Sequence, residues 1–161
     1  MEKDSHDSIF MKSIQRGIEN GIISVYLDDS KITYYCKREY LTSFKNPEEK
    51  VRASYFVELV LDKKYPKENI DIEVKVERRV PDDRADIVIY DEDGKEYLVV
   101  ECKKDGISDA EFKQAIEQAF GNANSKRAKY AIVVAGTTRT AFDIAGFKQR
   151  EREKNVIADI P

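Results

Sequence analysis

The amino-acid sequence predicts one α/β domain in which helices flank a mixed β-sheet. Three observations support this class. A chain of 161 residues has the length of one domain, and a domain of that size buries about 70% of the surface that its unfolded chain exposes. Hydrophobic residues make up 41% of the chain, which is enough for such a core. After an N-terminal β-hairpin, the apolar periodicity predicts the element order αβββαβ.

The N-terminal region is predicted to contain a short hairpin. Two β-rich runs, IISVYL at 22–27 and KITYYC at 31–36, are separated by Asp-Asp-Ser. The preceding residues show only weak helical periodicity. We therefore divide the chain into an extension with a hairpin strand at 1–31, a main domain at 32–146, and a charged tail or start of a linker at 147–161.

The first helix of the main domain has a clear start signal. Asn46 is a good N-cap residue, Pro47 suits the first helical position, and Glu49 stands three residues after the cap. The helix is expected to run from about 47 to 64, because Pro66 disfavours helical geometry in the residue before it.

Three strand patterns and a second helix follow. The strands are predicted at 69–79, 85–90 and 96–103. Ser108 and Glu111 form a capping box that opens a helix with one apolar face. The subsequent residues 122–129 are predicted to be a polar loop, and 130–136 a buried strand that ends at a glycine.

The composition argues against several classes of function. The 28 basic and 31 acidic residues nearly cancel, so any contact with nucleic acid has to come from a local patch. His6 is the one histidine, which argues against zinc sites rich in histidine and against histidine-based catalytic triads. Cys36 and Cys102, without a CxxC motif or a secretion signal, suggest reduced thiols in a cytoplasmic protein. No apolar run is long enough to span a membrane, so no membrane partner is expected.

The segment DIVIYDEDGKEYLVVECKK, residues 86–104, carries charges at the far end of a predicted hairpin. Asp93-Gly94 is a strong signal for a two-residue loop. Because side chains alternate along a strand, Asp86, Glu101 and Lys103 then share one face, and Cys102 lies buried on the other. The loop sets these opposed pairs: Val88 with Val99, Tyr90 with Tyr97, and Asp86 with Glu101.

Two opposed carboxylates need a compensating positive charge. Their Cβ atoms would lie about 5 Å apart, where two negative charges repel by on the order of 3 kcal/mol at an effective dielectric near 20. Lys103 can offset part of this repulsion, and a divalent cation held by both carboxylates can offset all of it. The alternative is that these are ordinary surface charges, with Lys103 neutralising Glu101. A second Glu-x-Lys, at 73–75, is the weaker candidate because no clear turn places an acid opposite it.

Glu49 is a third acid, and it is predicted to point inward. At 100° per residue it lies in the middle of an apolar arc of its helix, whereas Glu58 points to the opposite side. An inward carboxylate on the first turn either pairs with the backbone of Asn46 in a capping box or supplies a ligand to a site in the sheet. The sequence leaves both interpretations open.

These motifs resemble a known family. The chain is similar, from about residue 32 to residue 146, to the N-terminal nuclease domain of type I restriction enzyme R subunits, in four segments: NPEEKVRASYFVELVLDKKYPKENIDIEVKV, RADIVIYDEDGKEYLVVECK, QAIEQAF and KYAIVVAGTT. That domain belongs to the PD-(D/E)xK nuclease superfamily and also occurs fused to DNA methyltransferases. The resemblance implies a restriction-endonuclease-like fold with an αβββαβ core.

The resemblance also assigns roles to individual residues. It implies that Asp86, Glu101 and Glu49 are catalytic acids that bind metal, and that Lys103 positions or activates the attacking water. Mg²⁺ is the expected cofactor, with Mn²⁺ as a substitute, because it takes carboxylate oxygens, keeps waters and bridges to phosphate. Burial could lower the pKa of Lys103 toward base function. Gln118 matches an auxiliary glutamine of the family, although the tyrosine that some relatives carry four residues later is an asparagine here.

The function that the resemblance implies is Mg²⁺-dependent hydrolysis of double-stranded DNA within a restriction-modification system. No P-loop pattern occurs in the chain, so ATP would act only through a partner motor domain. Helicase, methyltransferase and specificity functions are expected in partner subunits or in sequence beyond Pro161. Basic residues near the predicted site end are candidates for phosphate contacts: Lys104, Lys113, Lys126, Arg127 and Arg139.

Two other functions are compatible with the same residues. The first is a catalytically silent nuclease-like module that serves DNA binding or assembly, in which the acids only balance local charge. The second is a structure-specific nuclease of repair or recombination, which would use the same acids and lysine.

Overall fold

The computed structural model describes residues 2–76, 83–144 and 155–161. Within these ranges it confirms the α/β class, with helices on a mixed six-stranded sheet and a small antiparallel sheet beside it. The elements are α1 (Glu2–Glu19), β1 (Ile23–Val25), β2 (Lys31–Tyr34), β3 (Tyr40–Ser43), α2 (Pro47–Leu61), β4 (Ile70–Val76), β5 (Asp83–Tyr90), β6 (Glu96–Lys103), α3 (Asp109–Lys126), β7 (Tyr130–Ala135), β8 (Thr138–Asp143) and β9 (Val156–Ile157). The order α2, β4, β5, β6, α3, β7 is the predicted αβββαβ core.

The large sheet has the strand order β4-β5-β6-β7-β8-β9. Strands β6 and β7 are parallel, and the other neighbouring pairs are antiparallel. Glu101 pairs with Val133 and Lys103 with Ala135, so the carboxyl ends of β6 and β7 meet at one edge of the sheet. That edge is where the acids of the predicted site lie.

The two faces of the sheet are covered by different helices. On one face, Ile87 and Val100 pack in a core with α1 and α2, and Cys102 is fully buried there as predicted. On the other face, Val88 and Val99 pack against the alanines of α3. Both faces are therefore dry along most of the central strands, and polar chemistry is confined to the sheet edge.

The N-terminal part is more regular than the sequence indicated. The predicted hairpin is confirmed as β1 and β2, and β3 extends it to three strands. The segment with weak periodicity forms α1, which buries Phe10 and Ile14 against α2. Strand β3 was not predicted because its four residues alternate only between half-buried and exposed positions.

The first predicted helix is shorter than expected, and the first predicted strand is described only in part. Helix α2 ends at Leu61, two residues after the buried Leu59, and the backbone N–H of Asp62 donates to Glu58 O at its end. Strand β4 ends at Val76, and the remainder of the predicted strand, 77–79, lies outside the described residues.

The predicted loop at 122–129 is wrong, because α3 continues to Lys126. The segment contains many polar residues, but the buried face of α3 continues through it. Ala123 follows Ala119 at the i, i+4 spacing, and Asn122 is fully buried. The helix ends at Arg127, whose left-handed φ of 57° and backbone bond to Ala123 O cap it.

The C-terminal residues pack on the domain where the sequence predicted a charged tail or the start of a linker. Strand β9 pairs with β8, and Ile160 is 3% exposed within the larger core. Residues 147–154 of that predicted tail lie outside the described ranges, and the domain boundaries themselves remain a prediction. Strand β8 was not predicted, because its first residues are polar and exposed. In the described part of the chain, no helix has the length and apolar character needed to cross a bilayer.

Candidate active site

The β5–β6 hairpin keeps the predicted register at its centre and departs from it at the turn. Ile87–Val100, Val88–Val99 and Ile89–Leu98 are opposed pairs. The turn is one residue longer than predicted, since Asp91 N donates to Lys95 O at 2.8 Å and Gly94 has a left-handed φ of 79°.

The longer turn shifts the pairing only next to it. Tyr90 lies opposite Glu96, so the predicted pairing of Tyr90 with Tyr97 is wrong. A register shift between Ile89 and Tyr90 absorbs the additional loop residue, as a β-bulge does. The predicted register is therefore confirmed from Ile89–Leu98 to Ile87–Val100, the pair next to the acids.

The structure brings Asp86, Glu101 and Lys103 together at the open edge of the sheet. Asp86 Oδ2 accepts a 2.7 Å hydrogen bond from the backbone N–H of Cys102, the residue that follows Glu101. Glu101 is only 2% exposed, and its Oε1 lies 3.6 Å from Lys103 Nζ. Lys103 is 29% exposed, so its ammonium group can reach both the buried acids and a substrate in solvent.

Burial raises the pKa of Asp86 to about 6. The hydrogen bond from Cys102 N and the nearby Arg52 guanidinium oppose this effect, whereas the negative charge of Glu48 adds to it. Asp86 is thus a buried acid whose negative charge is disfavoured unless a nearby positive charge neutralises it.

Lys103 is held in its charged form. Burial lowers the pKa of its ammonium group, but the negative charges of Glu101, Glu48 and Asp86 outweigh burial and raise the pKa above its usual value. The expectation that burial lowers the pKa of Lys103 toward base function is therefore wrong for this arrangement. The acids that surround Lys103 make it a fixed positive charge.

Arg52 is the residue of this site that the sequence interpretation missed. Its guanidinium is 5% exposed and donates to both Glu49 oxygens, from Nη2 at 2.6 Å and from Nε at 2.9 Å. Its Nη1 lies 2.5 Å from Glu73 Oε1 and 3.8 Å from Asp86 Oδ1. Burial lowers the pKa of Arg52, but the bonds to Glu49 and Glu73 outweigh burial and raise it. The spacing of three residues from an inward-pointing Glu49 was the available signal.

Glu49 points inward as predicted and is 8% exposed. Its oxygens are bound by Arg52 and by the hydroxyl of Tyr34, which donates to Oε2. The side chain of Asn46 accepts from Glu48 N at 2.9 Å and so caps the helix. Glu49 is thus a partner of an arginine and a tyrosine, and its role as a metal ligand remains a prediction.

Glu73, the acid of the weaker Glu-x-Lys, also joins the cluster. It adopts a left-handed φ of 55°, a conformation that costs a non-glycine residue about 1 kcal/mol or more. This local turn of β4 brings its carboxylate to Arg52. A cavity of about 120 Å³ opens at this point and is lined by Asn46, Glu48, Glu49, Arg52, Glu73, Asp86 and Cys102.

Two of the candidate phosphate-binding residues do not lie near the acids. Lys126 and Arg127 end α3, and the chain then enters β7, where Lys129 N donates to Tyr97 O. This point is at the start of β6, about 20 Å from its carboxyl end at the strand rise of about 3.3 Å per residue. The prediction that Lys126 and Arg127 lie at the site end is wrong, because β7 runs parallel to β6.

The other predicted residues have varied surroundings. Arg139 lies beside Val134 on β8, binds Glu58 and stacks 4.8 Å from the ring centre of Tyr55, on the α2 side of the sheet. Lys104 is exposed directly after β6, and Lys113 is exposed on α3. Gln118 is half-buried on α3, the helix that packs against β6 and β7. Contacts of these residues with DNA, and the auxiliary role of Gln118, remain predictions.

The donor set fits a hydrated Mg²⁺ better than a cation enclosed by protein. Among the described residues, no three acidic, histidine or cysteine side chains converge closely enough to hold a metal by themselves. Asp86 and Glu101 nevertheless form an adjacent, largely buried pair whose repulsion a cation would relieve. Mg²⁺ is bound in proteins through one or two carboxylates and keeps several waters.

Asp86→Asn is expected to stabilise the metal-free protein at neutral pH. A pKa of about 6, against 3.8 in an unperturbed aspartate, means that the folded state binds the proton more tightly than the unfolded chain. The stability from this effect is present below about pH 4 and is lost as the pH rises through about 6. Asparagine keeps the oxygen that accepts from Cys102 N but carries no charge. We expect a gain on the order of 2 kcal/mol at pH 7.5 that vanishes near pH 4, measured by urea unfolding. An equal effect at both pH values would contradict this account.

The comparison with protein families agrees with the resemblance found in the sequence. A family model described as type I restriction enzyme R protein N terminus matches residues 47–161. No curated protein matches the chain. The matched segment begins at the first residue of α2, contains Asp86, Glu101, Lys103 and Arg52, and covers well over half of the chain. The chain therefore belongs to the family of type I restriction enzyme R protein N termini.

Proposed function

We propose that this domain is a divalent-cation-dependent nuclease that hydrolyses phosphodiester bonds of double-stranded DNA in a restriction-modification system. The observation that carries the proposal is the pairing of Asp86 and Glu101 at the open edge of the sheet, with the ammonium group of Lys103 beside them. Family membership supports the restriction context. The proposed metal-dependent hydrolysis rests on the geometry of the site.

Asp86 and Glu101 would hold the cation, which is Mg²⁺ or its substitute Mn²⁺. When bound, such a cation lowers the pKa of a coordinated water and neutralises charge on the scissile phosphate. The hydrogen bond from Cys102 N fixes Asp86 Oδ2, so the carboxylate is already oriented. Arg52, at 3.8 Å, limits the mutual repulsion of the acids without occupying the open side of the pair.

Lys103 acts on the substrate as a positive charge. Its pKa is raised by the surrounding acids, so at neutral pH it is an ammonium group that donates hydrogen bonds. Its partial exposure allows it to contact a phosphate oxygen or the attacking water. In this role it stabilises negative charge that develops during hydrolysis.

The partners follow from the same proposal. A domain without a P-loop depends on a partner motor for any use of ATP, and helicase, specificity or methyltransferase subunits or domains would deliver the DNA. We therefore expect Mg²⁺-dependent cleavage by this domain to be fastest in the presence of those partners.

Lys103→Met is expected to slow plasmid cleavage by about 100-fold, because it removes one preorganised positive charge from the transition state. The assay measures nicking and linearisation of supercoiled plasmid in Mg²⁺ or Mn²⁺, with the chain alone and with its partner subunits and ATP. Lys95→Met is the matched control, because Lys95 is exposed at the distant hairpin turn. This variant should cleave the plasmid at the wild-type rate.

Two outcomes would count against the proposal. Wild-type cleavage by Lys103→Met would remove the lysine from the mechanism. DNA binding that ignores divalent cations, with no cleavage under either condition, would favour the silent DNA-binding or assembly module.

A further inference from the structure

We infer that Glu48, rather than Glu49, is the carboxylate of α2 that faces the cation in the active-site cavity. This inference rests on the proposed function, because it concerns the same cavity and the same cation. Glu48 and Glu49 are neighbours on the first turn of α2. The sequence pattern favoured Glu49 as the metal ligand, because Glu49 points to the core and Glu48 does not.

Glu49 is closed to a cation by its own contacts. Both of its oxygens accept from the Arg52 guanidinium, and Oε2 also accepts from the Tyr34 hydroxyl. The Glu49 and Arg52 side chains are 9% and 6% exposed. A cation could bind Glu49 only after this buried pair is broken, and breaking such pairs is strongly unfavourable.

Glu48 is open to the cavity. Its backbone N–H is fixed by Asn46 Oδ1 at 2.9 Å, which orients the first turn of α2. Its carboxylate lines the cavity together with Asp86 and is half-buried. Within the described ranges, this carboxylate has no hydrogen bond or ion pair with another side chain. Glu48 is thus a negative group at the cavity with its oxygens available.

The electrostatics of the cavity agree with this placement. Burial raises the pKa of Glu48, and the ammonium group of Lys103 is the strongest charge that opposes burial. In turn, the charge of Glu48 raises the pKa of Asp86 and of Lys103. Glu48, Asp86 and Lys103 therefore act on one another as charges, and Glu48 and Asp86 both line the cavity.

Glu48 would contact the cation through its water shell. No three ligating side chains converge among the described residues, and Mg²⁺ retains several waters, which need acceptors such as a nearby carboxylate. Removing a group that hydrogen-bonds a ligand of a metal typically weakens metal binding by about 10–100-fold.

The test is a calorimetric titration of the folded chain with Mn²⁺ at pH 7.5. Glu48→Gln is expected to weaken binding by about 10-fold. Glu49→Gln is expected to lower the thermal midpoint, because Arg52 loses a buried partner, and to leave the Mn²⁺ affinity within about threefold of wild type. Tyr34→Phe, which removes only the hydroxyl that holds Glu49, replaces Glu49→Gln if that variant does not fold, and it should also bind normally. Glu92→Gln, an exposed acid in the hairpin turn, is the control for charge alone.

The outcomes separate this inference from the proposed function. If wild type binds Mn²⁺, Asp86→Asn abolishes binding and Glu48→Gln binds like wild type, the role of Glu48 is overturned and the proposed function stands. A larger loss of affinity in Glu49→Gln or Tyr34→Phe than in Glu48→Gln would also overturn it. If wild type shows no binding that depends on Asp86, the proposed function fails and this inference fails with it.

Discussion

Arg52→Ala is expected to lower the free energy of unfolding by about 3–5 kcal/mol. The guanidinium is the buried counter-charge of Glu49, Glu73 and Asp86, so its removal leaves three carboxylates at one place with little solvent. For a domain of this size, the loss corresponds to a fall in thermal midpoint of about 10 °C. Urea unfolding followed by circular dichroism at pH 7.5 measures it directly.

A matched control separates burial from charge. Arg16 forms an ion pair with Asp62 at 2.9 Å, but both side chains are about half exposed, so Arg16→Ala should cost less than about 1 kcal/mol. Combining Arg52→Met with Glu49→Gln should cost less than the sum of the two single changes, because both ends of one buried pair are then neutral. If Arg52→Ala unfolds like Arg16→Ala, Arg52 is not the counter-charge that we describe.

Asp86→Ala is expected to reduce DNA cleavage by about 10³-fold or more and to abolish divalent-cation binding. This change removes one of the two carboxylates that we propose as ligands of the cation, together with the acceptor of the Cys102 N–H. The cleavage assay with Mn²⁺ and the partner subunits measures the rate, and circular dichroism shows that the variant is folded.

Asp93→Ala is the matched control for Asp86→Ala. Asp93 is exposed in the hairpin turn, at the opposite end of the β5–β6 hairpin from Asp86. The Asp93→Ala variant should therefore cleave DNA at the wild-type rate. Cleavage by folded Asp86→Ala at the rate of Asp93→Ala would remove Asp86 from the catalytic site.

The grouping of acids could be predicted from the sequence because it depends on local rules. Strand alternation places Asp86, Glu101 and Lys103 on one face once the register is known. The predicted turn was too short by one residue, yet the register shift beside Tyr90 restores the pairing at Ile89 and beyond. The grouping of these hairpin residues was thus predicted correctly although the turn was not.

The site residues that could not be predicted from the sequence depend on contacts between distant segments. Arg52 meets Glu73 and Asp86 only after α2 packs on the large sheet, and Tyr34 comes from the small sheet. Lys126 and Arg127 were misplaced because the parallel pairing of β6 and β7 decides which end of the sheet they occupy. Neither fact has a signature in local periodicity.

Charge balance was also beyond sequence reasoning. Lys103 could have been a base with a lowered pKa or a permanently charged ammonium group. Which of the two it is depends on how many acids surround it. Glu48, Asp86 and Glu101 all raise its pKa, and two of the three were assigned from motifs. Only the folded arrangement shows that Glu48 also faces this lysine.

The central claim is that Asp86 and Glu101 form a binding site for a divalent cation. Calorimetric titration with Mg²⁺ tests it most directly, comparing wild type with Asp86→Asn combined with Glu101→Gln. We predict one binding event in wild type, weaker at pH 5 than at pH 7.5 because protons compete for Asp86 below its pKa of about 6, and no binding in the double variant. Equal binding by wild type and the double variant, or no binding by wild type at pH 7.5, would contradict the claim.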